Sequence, residues 1–420
     1  MEKKTQNKAE KKVEKQAKRT VKRAVKKTAK KHPGVVIAVI VIVLILIAVG
    51  VALYFTVDKV HDMVDSWFSS ESTNTAGGNG GNNPPKATTY GDKDLSFHFL
   101  ELGNNYTGDS TYIKAGDVDI LIDAGSRYDS ADDIAAEVDK YCTDGKLEYV
   151  IATHGHRDHI AGFADTNKSD GIFKRYECGI IIDFALTNAS SEVYNKYVAA
   201  RDAEVAAGAK HYTAMQCVNQ ENGAQKTYEL GEGMSMTILY QYYYDHKATD
   251  ENDYSVCVLF NHGDNYYLLT GDLEEPGEAS LVQENDLPEV QLFKAGHHGS
   301  YSATTNALLS VIKPKIVCVC CCAGSIEYTK TKNNHTFPAQ EFIDRVAPYT
   351  SRVYVTTVGE VAYDAETGKY EDVGFSSMNG TITVLSSNGE VTVTCSNNDT
   401  VLKDTAWFAE NRTRPKAWAT

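Results

Sequence analysis

Five of the chain's twelve histidines sit in two short stretches, and both carry the residue types that bind metal ions. The first is Thr153-His154-Gly155-His156-Arg157-Asp158-His159-Ile160-Ala161-Gly162. Three imidazoles and one carboxylate within six residues make a severe desolvation problem unless cations sit among them. His154 and His156, two residues apart where a strand ends, can point at one ion, while Asp158 and His159 can turn to a second. The second stretch, Phe293-Lys-Ala-Gly-His297-His298-Gly299-Ser300, sets paired imidazoles between glycines, again at a strand end. Leu269-Thr-Gly-Asp272-Leu-Glu274 places a carboxylate after a buried strand and a tight glycine turn; alone it would be a common turn. A late stretch, Asn333-Asn-His335-Thr-Phe-Pro338, adds one more imidazole.

Alternating strands and helices must carry these residues, beginning at Asp94. Leu95–Leu102 alternates as a strand, and Val118–Asp123 is another, closed by Ala124-Gly125. Residues 131–141 have a helical pattern, and Glu148–Thr153 is a buried strand running into His154. The Ala-rich run 192–207 is helical. Tyr254–Phe260 and Tyr266–Thr270 form a hairpin across His262-Gly-Asp-Asn265. Residues 289–293, 315–322 and 352–357 are further strands, separated by helical stretches at 302–312 and 338–346. Gly380–Leu385 and Glu390–Cys395 make a last hairpin turning on Ser387-Asn-Gly389. Such alternation predicts layered α/β sheets with helices outside.

With these elements around them, the motifs carry a resemblance. His154-x-His156-x-Asp158-His159, the upstream Leu121-Ile-Asp123-Ala-Gly125 and the Thr-Gly-Asp272 turn resemble the metallo-β-lactamase superfamily. Gly271-Asp272-Leu-Glu, Gly296-His297-His298-Gly-Ser300 and a late His335 are similar to one branch of it. That branch contains the hydrolase domain of the bacterial DNA-internalisation competence protein and the phosphorylcholine esterases acting on teichoic acid. The strand pair spanning Phe99 to Asp123, with Gly108-Asp109-Ser110 between, suits the branch too, and the resemblance covers roughly residues 94–396. It implies an αββα sandwich with the site on the sheet edges. It also implies two Zn²⁺ ions (Mn²⁺ also suits this oxygen content), His154 and His156 holding one. Asp158, His159 and one of the His297/His298 pair, taken as His298, would hold the other, with Asp272 bridging. Catalytic roles would fall to Asp158, Asp272, His297 and His335, the last two as proton or hydrogen-bond donors, and Asp123 would orient a ligand histidine. Two departures stand out. No plausible motif surrounds His211, His246 or His262, where the general superfamily has a further metal histidine, and Thr-Phe intervenes between His335 and Pro338.

The rest of the chain predicts where such a hydrolase would work. Residues 1–33 carry 14 Lys+Arg against 3 Asp+Glu, a net +11, while the remainder carries 28 against 53, a net −25. Val35 to Val57 is a 23-residue run without charge, long enough as a helix to cross a hydrocarbon core of ~30 Å. Lysines precede this run and Asp58, Asp62, Asp65 and Glu71 follow it, which predicts a cytoplasmic N-terminus and an external body. The expected organisation is a basic tail (1–33), a transmembrane signal anchor (34–57), a Gly/Asn/Ser-rich spacer (58–90) and the hydrolase domain (91–420). The nine cysteines, four of them in the apolar run Cys318-Val-Cys-Cys-Cys322, read as packing residues, although that many thiols sit uneasily with an oxidising exterior. The expected activity is a membrane-anchored, extracellular phosphodiesterase or phosphoesterase acting on a cell-wall polymer, a choline-type headgroup or external DNA. The acidic body disfavours nucleic acid. The alternatives are a noncatalytic surface binding protein on the same fold and a lactam or thioester hydrolase.

Overall fold

Strand β1 (Leu95–Phe99) is buried along its whole length, because it lies in the middle of a sheet with layers on both faces. The computed structural model describes residues 90–419. The tail 1–33, the apolar segment 34–57 and the spacer up to residue 89 lie outside the described residues. Among the described residues no helix is long and apolar enough to cross a membrane.

The first sheet continues through β2 (Thr111–Ala115), β3 (Val118–Ile122), β4 (Lys146–Ile151), β5 (Glu177–Asp183) and β6 (Lys210–Thr213). The second begins with β7 (Thr227–Gly231), β8 (Met234–Leu239), β9 (Cys257–His262) and β10 (Asn265–Leu269). It goes on through β11 (Leu292–Lys294), β12 (Ile316–Ala323), β13 (Val353–Asp364) and β14 (Lys369–Ser377). The last hairpin, β15 (Ile382–Ser387) and β16 (Glu390–Cys395), returns to the first sheet. The two orders are β16-β15-β1-β2-β3-β4-β5-β6 and β14-β13-β12-β11-β10-β9-β8-β7. β15 pairs antiparallel with β1, His98 opposite Thr383.

Side-chain alternation along β12 shows the layering. Cys318 and Cys320 belong to the core between the sheets. Val317, Val319 and Cys321 belong to an outer core with Phe342, Ile343 and Val346 of the helix Gln340–Val346. Phe97 closes the inter-sheet core against Phe260 and Tyr267 of the opposite sheet, ring centroids 5.3 and 4.8 Å apart. The helices Ser130–Val138 and Glu192–Ala207 supply Ile134, Val138, Val193 and Tyr197 to the larger core. This is the two-sheet α/β sandwich expected from the sequence. All nine cysteines are free, and those of β12 are buried, as packing residues would be.

The parallel strands bring chemistry to one edge. β3, β4 and β5 are mutually parallel, as are β10, β11, β12 and β13. The turns after β3, β4, β10 and β11 therefore carry Asp123, the first histidine motif, Asp272 and the His297-His298 pair.

Candidate metal centre

Each ligand candidate sits on a turn whose backbone is fixed by an identifiable contact. Asp272 follows Gly271, which has φ +54°. A Cβ on Gly271 would meet Ser255 Oγ and Thr153 Cβ, both at 2.9 Å. Glycine is thus needed there for both conformation and space. The Asp272 amide then donates to Ser255 Oγ at 3.0 Å. Asp158 and His159 lie on a single helical turn, Arg157–Ile160, immediately after His156. His297 and His298 both adopt left-handed backbone, φ 43° and 54°. That conformation costs a residue with a Cβ about 1–2 kcal/mol, and strain of this kind collects at functional sites. Two hydrogen bonds hold it: Gly296 N to Thr304 Oγ1 at 3.1 Å and Ser300 N to the His297 carbonyl at 2.8 Å.

The side chains converge on Asp272. Its Oδ2 lies 3.0 Å from His159 Nε2 and 3.1 Å from His298 Nε2. His298 Nε2 is also 3.3 Å from Asp158 Oδ2. On the other side of the cluster, His154 Nε2 and His156 Nδ1 are 3.0 Å apart, and the His154 and His159 ring centroids are separated by 4.2 Å. Asp109, His159, Asp272 and His298 each offer an atom within 4.8 Å of all the others, and all four are buried. Metal ligands bound at ~2.0–2.2 Å stand roughly 3 Å from one another, which is the spacing here. The hydrogen-bond inventory agrees. His298 Nε2, Asp272 Oδ1 and Asp109 Oδ1 are buried without a hydrogen-bond partner, although buried polar groups are ordinarily satisfied. The residues present therefore suit a divalent metal ion.

Around the cluster runs a layer of orienting contacts. Asp123 Oδ2 accepts from His159 Nδ1 at 2.7 Å, and the same carboxylate receives Thr153 N at 2.7 Å and Thr153 Oγ1 at 2.8 Å. His298 Nδ1 donates to the Cys320 carbonyl at 2.8 Å, fixing its ring with Nε2 toward Asp272. His297 is held separately, its Nδ1 2.9 Å from Glu274 Oε1. Tyr328 donates its phenol to Asp158 Oδ2 at 2.6 Å. Lys294 is buried, ion-paired with Asp109, and 3.6 Å from Asp272 Oδ1.

Electrostatics follow from this crowding. Burial opposes the charged form of His298, yet Asp272 and Asp109 outweigh it and push the imidazole up to about 10. Burial likewise disfavours His159 in its charged form, but Asp272 and Asp123 hold it well above the usual range. His154 goes the other way, lowered by burial and by the neighbouring His159 and His156. Burial would raise Asp272, but His159 and His298 keep it well below the usual carboxylate range.

The structure brings together six of the eight residues picked from sequence: His154, His156, Asp158, His159, Asp272 and His298. His297 lies alongside, its ring centroid 6.0 Å from that of His298. His335 is not brought in. It is half-exposed, pairs with Glu341 at 3.1 Å and packs on the Tyr301 ring at 4.8 Å. The two residues separating His335 from Pro338 coincide with this outward placement. Sequence reasoning missed Asp109, Lys294 and Tyr328 as members of the site. Asp109 had a signal in Gly108-Asp109-Ser110, and Lys294 in being a charged residue inside an apolar strand. Tyr328 had none. His211, His246 and His262 pair with Asp183, Asp245 and Ser386.

Residues 103–166, spanning Asp109 to the end of the first histidine motif, match the profile of the metallo-beta-lactamase superfamily. The likeness to the metallo-beta-lactamase superfamily thus falls on the segment that carries Asp109 and the first histidine motif. Among curated proteins it is 31% identical over 108 residues to Recombination protein 2 of Haemophilus influenzae, covering 26% of this chain and 12% of that protein. It is 24% identical over 150 residues to ComE operon protein 3 of Bacillus subtilis, covering 35% of this chain and 18% of that protein. Both fall in the competence-protein branch, and the chain spans under a fifth of either relative's length. Among solved structures it is similar to the metallo-beta-lactamase fold protein YhfI of Bacillus subtilis, with TM-score 0.33 and 10% identity. That alignment covers 62% of this chain and 95% of YhfI.

Proposed function

We propose that this protein is a binuclear-metal phosphodiesterase, held at the membrane by segment 34–57 with its catalytic domain outside the cell. The observation that carries the hydrolytic reading is the single Asp272 oxygen shared between His159 and His298, with Asp158 beside it. His154 and His156 would hold one ion, Asp158, His159 and His298 the other, with Asp272 between; Zn²⁺ suits the imidazoles and Mn²⁺ the carboxylates. Bound there, two divalent ions supply Lewis acidity and an activated water.

The chain's own residues supply the rest. Asp123 keeps the His159 ring in one orientation and accepts its Nδ1 proton. His297, anchored through Nδ1 on Glu274, has Nε2 free to hand a proton to a departing alkoxide. The Tyr328 phenol is a second donor, able to turn from Asp158 to a phosphoryl oxygen. A cell-wall or choline-type phosphodiester is the favoured substrate. DNA is the second candidate, favoured by the two competence-type relatives and opposed by the net −25 of residues 34–420.

The purified, zinc-loaded chain should hydrolyse bis(p-nitrophenyl) phosphate or p-nitrophenyl phosphorylcholine and leave nitrocefin intact. Release from nitrocefin alone would replace a phosphodiesterase with a lactam hydrolase. No turnover of any of the three by a fully loaded protein would favour a binding protein.

A further inference from the structure

Glu251 is buried, yet it lies on no strand and in none of the histidine motifs. Its carboxylate gathers three donors from two other segments. Oε1 accepts from Gly155 N at 3.0 Å and from Thr187 Oγ1 at 2.6 Å; Oε2 accepts from Asn188 N at 2.5 Å. Gly155 is the residue between His154 and His156, so this carboxylate fixes the peptide that joins them. The fit is close. A Cβ on Gly155 would lie 2.7 Å from Glu251 Oε1, 2.7 Å from Ala189 Cβ and 3.1 Å from Thr187 Oγ1. The residues following Glu251 reach other parts of the centre. Asn252 Nδ2 is 3.4 Å from His297 Nδ1. Asp253 Oδ1 accepts from Glu274 N at 3.4 Å, and Ser255 Oγ accepts from Asp272 N at 3.0 Å and lies 3.4 Å from His154 Nδ1.

We propose that Glu251 is the positioning residue for the His154–His156 half of the centre, setting the separation and aim of its two imidazoles through Gly155. This rests on the binuclear reading above. Two features make that half dependent on its backbone. Beyond the cluster's own His159 and His298, no imidazole joins it among the described residues, His211, His246 and His262 being paired elsewhere. Among the described residues His156 also has no hydrogen bond to an orienting carboxylate such as Asp123 gives His159. With fewer side-chain constraints, ligand geometry must come from the turn. Glu251→Gln sets an amide N–H₂ against at least one N–H or O–H donor, so the turn loses part of its anchor while the volume is kept.

The test is zinc stoichiometry and affinity of the full-length protein, read by elemental analysis and competition with a chromophoric chelator. Wild type should hold two ions. Glu251→Gln should keep one at wild-type affinity and bind the other about 10–100-fold more weakly, with the metal-free protein still unfolding cooperatively at a somewhat lower thermal midpoint. Glu251→Asp, which keeps the charge but shortens the reach, should fall between the two. Thr187→Val, which removes a different donor, should keep both ions. Should Glu251→Gln fail to fold, Glu251→Asp and Thr187→Val decide: selective weakening of one ion in the former alone supports the assignment. Both ions bound normally in Glu251→Gln, both weakened equally, or the same loss in Thr187→Val would overturn it. Fewer than two ions in wild type would instead refute the binuclear reading, a different failure.

Discussion

Asp272 is the residue on which the centre turns, because one of its oxygens faces two imidazoles from opposite sheets. Asp272→Asn keeps the shape and removes the anion. The proposed phosphodiesterase activity should fall about 100-fold or more with an unchanged circular dichroism spectrum; wild-type activity would exclude a bridging role. His297 and His335 separate two ways of using a late histidine. His297→Ala should keep both metals and lose about 100-fold in turnover, most for substrates with poor leaving groups, as loss of a general acid does. His335→Ala should lose almost nothing, because its partners are Glu341 and Tyr301 at the surface. A 100-fold loss in His335→Ala would return it to the mechanism. Legibility at this scale followed local density. Residues packed into short motifs declared themselves by the cost of crowding like groups. Asp109, Lys294, Tyr328 and Glu251 act singly across long sequence gaps, such as the 96 residues between Gly155 and Glu251, and no spacing rule detects that.

At the scale of elements, the segment Glu251–Tyr254 buries Asp253 beside Glu274. Burial first, and then the Glu274 charge, raise the Asp253 carboxyl to about 6. A carboxyl raised above its unfolded value favours the folded state below about 4, and the contribution is lost as pH rises through about 6. Asp253→Asn should therefore stabilise the metal-free protein at pH 7 by on the order of 1 kcal/mol after allowance for solvent screening. The gain should vanish below about pH 4. Thermal melts at the two pH values check this, and equal shifts at both would refute it. Elements were legible where burial was two-sided or periodicity long: the helix 192–207 and the hairpin β15–β16 were expected where they lie. β5, β6, β7, β8 and β14 were not expected. β6, β7 and β14 each pair with one neighbour at a sheet edge, and a mostly exposed strand such as Lys369–Ser377 has too few apolar residues to signal itself; β5 and β8 lie inside their sheets and were overlooked although partly apolar. β13 runs to Asp364, past the expected 357, because it continues as a hairpin with β14 beyond the core.

For the whole molecule, the cluster ties the two sheets together, so ions bound there should stabilise the fold. Stripping them with a chelator should lower the thermal midpoint, by a free energy that grows with the logarithm of free zinc on reconstitution; a midpoint indifferent to zinc would argue against a structural contribution. Protease added to intact cells should release a fragment near the mass of the 91–420 domain by cutting within 69–90. Its complete protection on accessible cells would reverse the proposed orientation. The pairing of β1 with β15 has a consequence in time. His98 and Thr383 are 285 residues apart yet adjacent across one sheet. At roughly 5–20 residues per second of synthesis, β1 would wait about 15–60 s for its neighbour on that side. Through that interval a strand buried on both faces in the finished protein has an open edge, able to pair with whatever extended chain it meets. Folding of the sandwich is therefore bound to completion of its C-terminal hairpin, and chains released before residue 387 should be recovered as aggregate rather than as a partly folded domain.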